Sequence, residues 1–275
     1  MLFSALGFAL MAACVKLCAN RGIPLMEILA ARCVVSLVMS YADVRRKGLS
    51  PWGTQRLWLT ARGVVGALAL ICVYYAITVL PLAEATLLQY THPVFTALLA
   101  LLFLGEKIHA STVACIVLSV MGVIVMVDPG LLGNGNPTLP WFSVGVALAG
   151  AFGSGVAYVI VRRLSGHEDA SVIILYFPLV ALPVSIILLG GDFVMPDPFT
   201  LFLLLLVGVF TQIGQLGLTH AMRYDNAGRN AAYSYIQVIF AALLGWLLFG
   251  DVPSQWTWIG GGLIILGALV NLRSN

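Results

Sequence analysis

Ala85, Gln89, His92 and Thr96 stand four, three and four residues apart, the spacing that lines side chains along one face of a helix. Displacing the series by 145 positions gives Asn230, Ser234, Gln237 and Ala241, a second stripe of small and polar groups. Amides, hydroxyls and an imidazole hydrogen-bond a solute without pinning it to a fixed charge. The set contains neither a nucleophile beside a base nor a cluster of metal ligands. Gln215 and Thr219 add a polar pair at four-residue spacing, and Tyr74, Tyr90, Tyr158, Tyr233 and Tyr235 offer rings and hydroxyls. The chemistry open to these residues is recognition: two such stripes facing each other make a polar, largely uncharged cleft. Interhelical hydrogen bonding, worth about 0.6 kcal/mol per contact in membranes, is their other use.

Charged groups are few. Lys16 and Arg32 are the basic residues deepest in apolar sequence, with Glu84 and His92 as candidate counter-groups. Lys16 is expected to snorkel to an interface. Arg32 needs a partner, and a carboxylate or backbone carbonyls are the expected ones. His92 titrates near neutrality when unperturbed, which suits proton coupling. Pro93 removes a helix hydrogen bond and implies a kink, as a hinge or as a plain bend.

These residues need elements to hold them, and the composition says which kind. Of 275 residues, 61% are apolar and 9% charged, against about 25% charged in soluble domains. A hydrocarbon core about 30 Å thick is crossed by about 20 apolar residues. Ten stretches approach that length, near 2–19, 25–42, 62–79, 82–104, 111–127, 141–162, 171–189, 199–219, 228–249 and 255–272. The first carries Lys16 and lacks a basic leader and a small-residue cleavage site, so it reads as a retained helix. Cys14, Cys18, Cys33, Cys72 and Cys115 all lie inside apolar stretches, where thiols behave as small hydrophobes.

Basic residues fall on one side. Arg45, Arg46, Lys47, Arg56, Arg62, Lys107, Arg162, Arg163, Arg223, Arg229 and Arg273 share the side of the amino terminus, and Arg21 alone takes the other. The positive-inside rule then predicts both termini in the cytoplasm. That asymmetry accounts for the net charge of +3 without a nucleic-acid partner.

At a shift of 145, Tyr90, Phe95, Ala97, Leu98, Leu99, Leu102 and Gly105 align with Tyr235, Phe240, Ala242, Leu243, Leu244, Leu247 and Gly250, and Glu106 falls on Asp251. The match runs without a gap from Gly63 on Gly208 to Gly122 on Gly267, which points to duplication. Residues 1–130 and 131–275 are the expected units. Five helices is an odd number, so the copies insert with opposite polarity, an architecture in which one half rocks against the other about a midplane site. The fold class expected is therefore all-α and integral to the membrane, with ten transmembrane helices as two inverted five-helix repeats.

The run PLAEATLLQYTHPVFTALLALLFLGE from Pro81 to Glu106, with EILAAR from Glu27 to Arg32, resembles the EamA-type exporters of the drug/metabolite transporter superfamily. The second half keeps the corresponding run from Ala227 to Asp251 but has Val238 in place of the proline and Phe177 in place of the arginine. The resemblance implies a cavity lined by segments 1, 3, 4, 6, 8 and 9, with segments 5 and 10 peripheral or dimer-forming. It also implies substrates among amino acids, amphipathic drugs, nucleotide precursors, S-adenosylmethionine and organic anions. The expected function is secondary transport, as an exporter, of small organic metabolites, with amino acids, aromatic ones included, as the favoured class. Tyr74, Gln89, Tyr90, His92, Thr96, Tyr158, Gln215, Asn230, Tyr233, Ser234 and Gln237 are the expected substrate-binding residues, and Lys16, Arg32 and Pro93 the structural or gating ones. No catalytic residue, metal or cofactor is expected. The partners expected are the solute, the lipid of a plasma or bacterial inner membrane and a second copy of the chain through segments 5 and 10. The glycine run Gly260, Gly261 and Gly262 serves that dimer or packing within one chain. An ATP-driven pump is excluded, since no GxxxxGK loop occurs. An intramembrane enzyme and a channel or receptor are the competing classes.

Overall fold

The computed structural model describes residues 2–92, 94–96, 98–99, 110–127, 139–164, 166–224 and 236–273. Within these the chain forms α1 (Leu2–Asn20), α2 (Leu25–Arg46), α3 (Arg56–Val79), α4 (Leu82–Gln89), α5 (Ala110–Val127), α6 (Trp141–Leu164), α7 (Ala170–Leu189), α8 (Pro198–Tyr224), α9 (Ile236–Phe249) and α10 (Gln255–Arg273). No strand occurs among the described residues. Six helices are long and apolar enough to cross a membrane: α1, α2, α3, α6, α7 and the Pro198–Leu218 part of α8. In lipid every backbone polar group must be paired internally, which is why such sequence folds as helix. One boundary differs from the hydropathy reading in a way that matters. α3 starts at Arg56, so Arg62, expected at the very start of its segment, lies inside the helix. Apolarity marks where lipid begins, whereas a helix continues through polar residues.

The helices pack in a regular set of pairs. α1 lies on α8 and α3 on α6; α2 lies on α7, α4 on α9 and α5 on α10. α3 also meets α7 as α2 meets α8, and α1 meets α9 as α4 meets α6. Adding or subtracting five from both members of a pair returns a pair in the set. In the pairs of α1 with α8 and of α3 with α6 the helices run antiparallel. Ser4 Oγ near the start of α1 donates to Gly214 O at 2.7 Å, while Arg21 at its end faces Asp197 at 3.6 Å, just before α8. Tyr75 near the end of α3 makes an edge contact with Phe142 at the start of α6, and Arg163 at the end of α6 lies over Trp58 near the start of α3.

Two clasps tie helix ends together on the side bearing Arg45, Arg46, Arg162 and Arg163. Lys47 reaches Asp43 Oδ2 at 3.0 Å and Asp169 Oδ1 at 3.3 Å, and Ser171 Oγ donates to Asp43 Oδ2 at 2.5 Å. Glu168 Oε1 accepts from Thr54 N, Thr54 Oγ1 and Gln55 N at 2.5, 2.6 and 2.6 Å. Burial raises the pKa of Glu168, but these hydrogen bonds to its charged form outweigh it and hold the carboxyl below its ordinary value. A depressed carboxylate pKa contributes stability that is complete at neutral pH. That stability starts to fall where a free glutamate protonates, at about pH 4.3, and is lost as pH drops through the folded value. The thermal midpoint is thus expected to fall on acidification below about pH 4.5, and less so in Glu168→Gln. Melting curves across pH check it.

Close approach elsewhere depends on glycine. A Cβ at Gly122 in α5 would stand 2.5 Å from Gly260 O and 2.8 Å from Ile264 Cγ1 in α10. Gly260 and Gly261 of the glycine run therefore pack within the chain, against Gly122 and Leu87, whereas a Cβ at Gly262 would meet nothing within 4 Å. Gly122→Leu is expected to lower the thermal midpoint by about 5 °C or more, because the obstacle is backbone. Gly145→Leu, with nothing within 4 Å of its Cβ, is expected to leave it in place.

Candidate functional site

Helix α4 stops at Gln89, and Tyr90 and Thr91 form a turn before helical geometry resumes at His92. Residue 93 is proline, with no N–H to give the carbonyl four residues earlier. The ring of His92 takes that place: Nδ1 lies 3.0 Å from Gln89 O. Since a carbonyl only accepts, Nδ1 carries the hydrogen and Nε2 keeps a lone pair. His92 stacks on Tyr158 of α6, with centroids 5.0 Å apart and planes at 18°, and lies 5.7 Å from the Tyr90 ring. Gln89 Nε2 donates to Ser154 Oγ of α6 at 2.8 Å, and Tyr90 OH donates to Gln237 Oε1 of α9 at 2.7 Å. Gln89 Oε1 is buried without a hydrogen-bond partner. The residues around this interruption form a polar seam where α4 meets α6 and α9.

A second site lies between α2, α3, α7 and α8, in a pocket bordered by Arg32, Arg62, Phe177, Thr211, Gln212 and Gln215, among others. Arg32 and Arg62 place their guanidiniums 5.1 and 5.2 Å from the Phe177 ring centroid. Arg32 Nη1 donates to Tyr74 OH at 3.3 Å, and Tyr74 OH donates to Met11 Sδ at 3.3 Å. Sequence reasoning expected a carboxylate or carbonyls around Arg32. Among the described residues a phenol and two ring faces surround it instead, and Glu84, the expected counter-group, accepts from Thr257 Oγ1 at 2.7 Å. Phe177 stands 145 positions after Arg32, at the equivalent place in the antiparallel partner helix. An arginine there would set two cations face to face; the phenylalanine gives the first a surface to stack on. Arg62 was missed because hydropathy put it at the outer edge of its segment. Tyr158 of the seam lies within electrostatic range of Arg62 of the pocket.

Lys16 does not snorkel. It is 8% exposed, and its Nζ pairs with Asp251 Oδ2 at 2.7 Å, donates to Leu80 O at 3.2 Å and lies 4.9 Å from the Phe249 centroid. The ends of α1, α3 and α9 meet there. Of the residues singled out from sequence, Gln89, Tyr90, His92, Tyr158 and Gln237 gather in the seam, with Thr96 bonded back to His92 O at 2.9 Å. Tyr74, Gln215 and Arg32 belong to the pocket region. Pro93, Asn230, Tyr233 and Ser234 lie outside the described residues.

The profile of the EamA-like transporter family matches residues 1–128 and 141–273. The chain is 34% identical over 268 residues to the pseudopaline exporter CntI of Pseudomonas aeruginosa, covering 97% of this chain and 92% of that one. It is 32% identical over 257 residues to human solute carrier family 35 member G1, covering 89% and 70% of the two chains. With a riboflavin transporter of Rhizobium johnstonii it shares 27% identity over 241 residues, 87% and 78% of the respective lengths. A protein of known crystal structure superposes with a TM-score of 0.66 at 20% identity, over 98% of this chain and 95% of that one, which is a likeness of fold.

Proposed function

Because the chain belongs to the EamA-like transporter family of the drug/metabolite transporter superfamily, and is thereby a multi-pass membrane transporter and not an enzyme, we propose that it exports small organic metabolites. Amino acids, including aromatic ones, are the substrate class favoured. Transport proceeds by alternating access between two inverted five-helix halves, residues 1–130 and 131–275, with ten membrane crossings and both termini in the cytoplasm. The observation that carries this reading is the packing set. The most closely packed helix pairs have a counterpart five helices away, α1 on α8 with α6 on α3, and α2 on α8 with α7 on α3, while the contact of α1 with α3 has none of like extent among the described residues. A two-fold relation of this kind supports two interchangeable conformations of similar energy, which rocking transport needs. The two stretches matched by the family profile support the same division. The name of the Pseudomonas relative supports export.

In this reading the seam and the pocket are where solute binds, near the place where α4 meets α9. Gln89, Tyr90, His92, Tyr158 and Gln237 supply uncharged hydrogen-bonding groups and π faces. From the second half Asn230, Tyr233 and Ser234 belong to the proposed binding set, and Tyr74, Thr96 and Gln215 extend it. The break before Pro93 lets the two parts of that segment shift relative to each other. Lys16 with Asp251 closes one side, and the Lys47 and Glu168 clasps close the other. The side rich in arginine is the cytoplasmic one.

Proteoliposomes preloaded with unlabelled amino acid and given the same labelled solute outside test the mechanism. A carrier yields saturable counterflow, with label accumulating transiently above its equilibrium level. A channel yields equilibration with no overshoot, which would remove the alternating-access reading.

A further inference from the structure

The pocket between α2, α3, α7 and α8 concentrates positive charge that no carboxylate among the described residues pairs with. Arg32 Nε, Arg62 Nε and Arg62 Nη1 are buried without a hydrogen-bond partner. The ion pairs formed among the described residues are at Lys16, Arg21, Arg46 and Lys47, and none involves either arginine. A guanidinium does not shed its proton, and two of them on one ring repel each other where water screens them little. Stacking on Phe177 offsets part of that cost and leaves the N–H edges free. A carboxylate matches the planar fork of such an edge.

The space between these helices has room for about one water in this conformation and must widen to admit a solute. It also holds acceptors. Gln212 is 3% exposed; its Nε2 donates to Ser40 Oγ at 3.2 Å, which fixes the amide, and its Oε1 has no partner. The hydroxyl of Ser36 is likewise buried and unpartnered, at 3% exposure. Pro178 within α7 cannot donate to the carbonyl of Ile174, and both residues border the pocket. An ammonium group brings three donors for acceptors so arranged. Donors from α2 and α3 thus face acceptors from α7 and α8 across one small space.

Resting on the transporter reading above, we propose that Arg32, Arg62 and Gln212 form the binding site for an amino-carboxylate substrate. Its carboxylate bridges the two guanidiniums, and its ammonium group meets Gln212 Oε1 and the Ile174 carbonyl. Two fixed cations rank substrates by charge: an amino acid bearing a second carboxylate binds above a neutral zwitterion, and a cationic ester does not bind.

Full-length protein in lipid nanodiscs, melted with L-glutamate, L-alanine, L-alanine methyl ester, succinate or choline chloride, tests this. Glutamate is expected to raise the midpoint at the lowest concentration, alanine at a higher one, and the ester and choline not at all. Arg62→Gln is expected to raise the half-stabilising glutamate concentration at least about tenfold. Arg62→Lys, which keeps the charge without the fork, should lose most of the same effect with its ligand-free midpoint intact. Gln212→Leu should weaken alanine and glutamate and leave succinate unchanged. Equal stabilisation by alanine and its ester, unchanged glutamate binding in Arg62→Lys, or no response to any carboxylate overturns the assignment. Counterflow of a solute lacking a carboxylate, with no response to these acids, would sink this proposal and leave the transporter reading standing. Binding of glutamate with no counterflow of any bound acid would do the reverse.

Discussion

Replacing Lys16 by methionine is expected to slow solute exchange at least about fivefold while leaving the protein folded. The ammonium joins the ends of α1, α3 and α9 through Asp251 and Leu80 O at 2.7 and 3.2 Å. Without it, a carboxylate whose side chain is 30% exposed is left facing a phenyl ring and a carbonyl with no cation. Such a pair lies between the exposed and the buried limits, so its loss costs about 1–3 kcal/mol. Concentrated in the conformation closed on that side, this shifts the balance of the two conformations by a factor of about 5 to 150. The carrier then dwells open and returns slowly. Initial counterflow rates for Lys16→Met, Asp251→Asn and the exchanged pair Lys16→Asp with Asp251→Lys measure the effect. The exchanged pair should recover more activity than either single variant. Recovery no better than the singles would assign the contact to packing.

Gln89→Leu is expected to raise KM about tenfold, or about 1.4 kcal/mol, with kcat little changed. Gln89 spends its Nε2 on Ser154 and leaves Oε1 buried without a partner. An orphaned acceptor beside an aromatic seam is costly in the empty protein and useful to a solute that brings a donor. Leucine removes both the cost and the use, so the ligand-free midpoint should not fall. A KM equal to wild type, or a lowered ligand-free midpoint with it, would make Gln89 a helix-packing residue.

Much of this architecture could be read from residue order because lipid imposes a coarse rule. Apolar runs near the span length become helices: eight of the ten starts expected from hydropathy fall within one residue of a helix start, and a ninth, near 228, lies outside the described residues. The tenth, α3, begins six residues early, since a helix needs no apolar side chains where it leaves the lipid. The stripe of Gln89 and His92 was legible from spacing alone. Its interruption at Tyr90 was not, because hydrophobicity carries no record of which carbonyl a proline deprives. Long basic side chains were the hardest to place. Lys16 and Arg32 can reach in several directions from one Cα, and their partners lie 235 and 145 positions away, at Asp251 and Phe177. The departure at Phe177 was visible in the internal comparison, but its meaning as a stacking surface needed the packing of α2 on α7.

Alternation between two closed forms is tested most directly by holding one of them shut. Lys16→Cys with Asp251→Cys, in a background where Cys14 and Cys18 are alanine, can be bridged by a bis-methanethiosulfonate of about the length of a lysine side chain. Counterflow is predicted to stop once the bridge forms and to return when a reductant opens it. Full counterflow by the bridged protein, with bridging verified by mass spectrometry, would contradict the account.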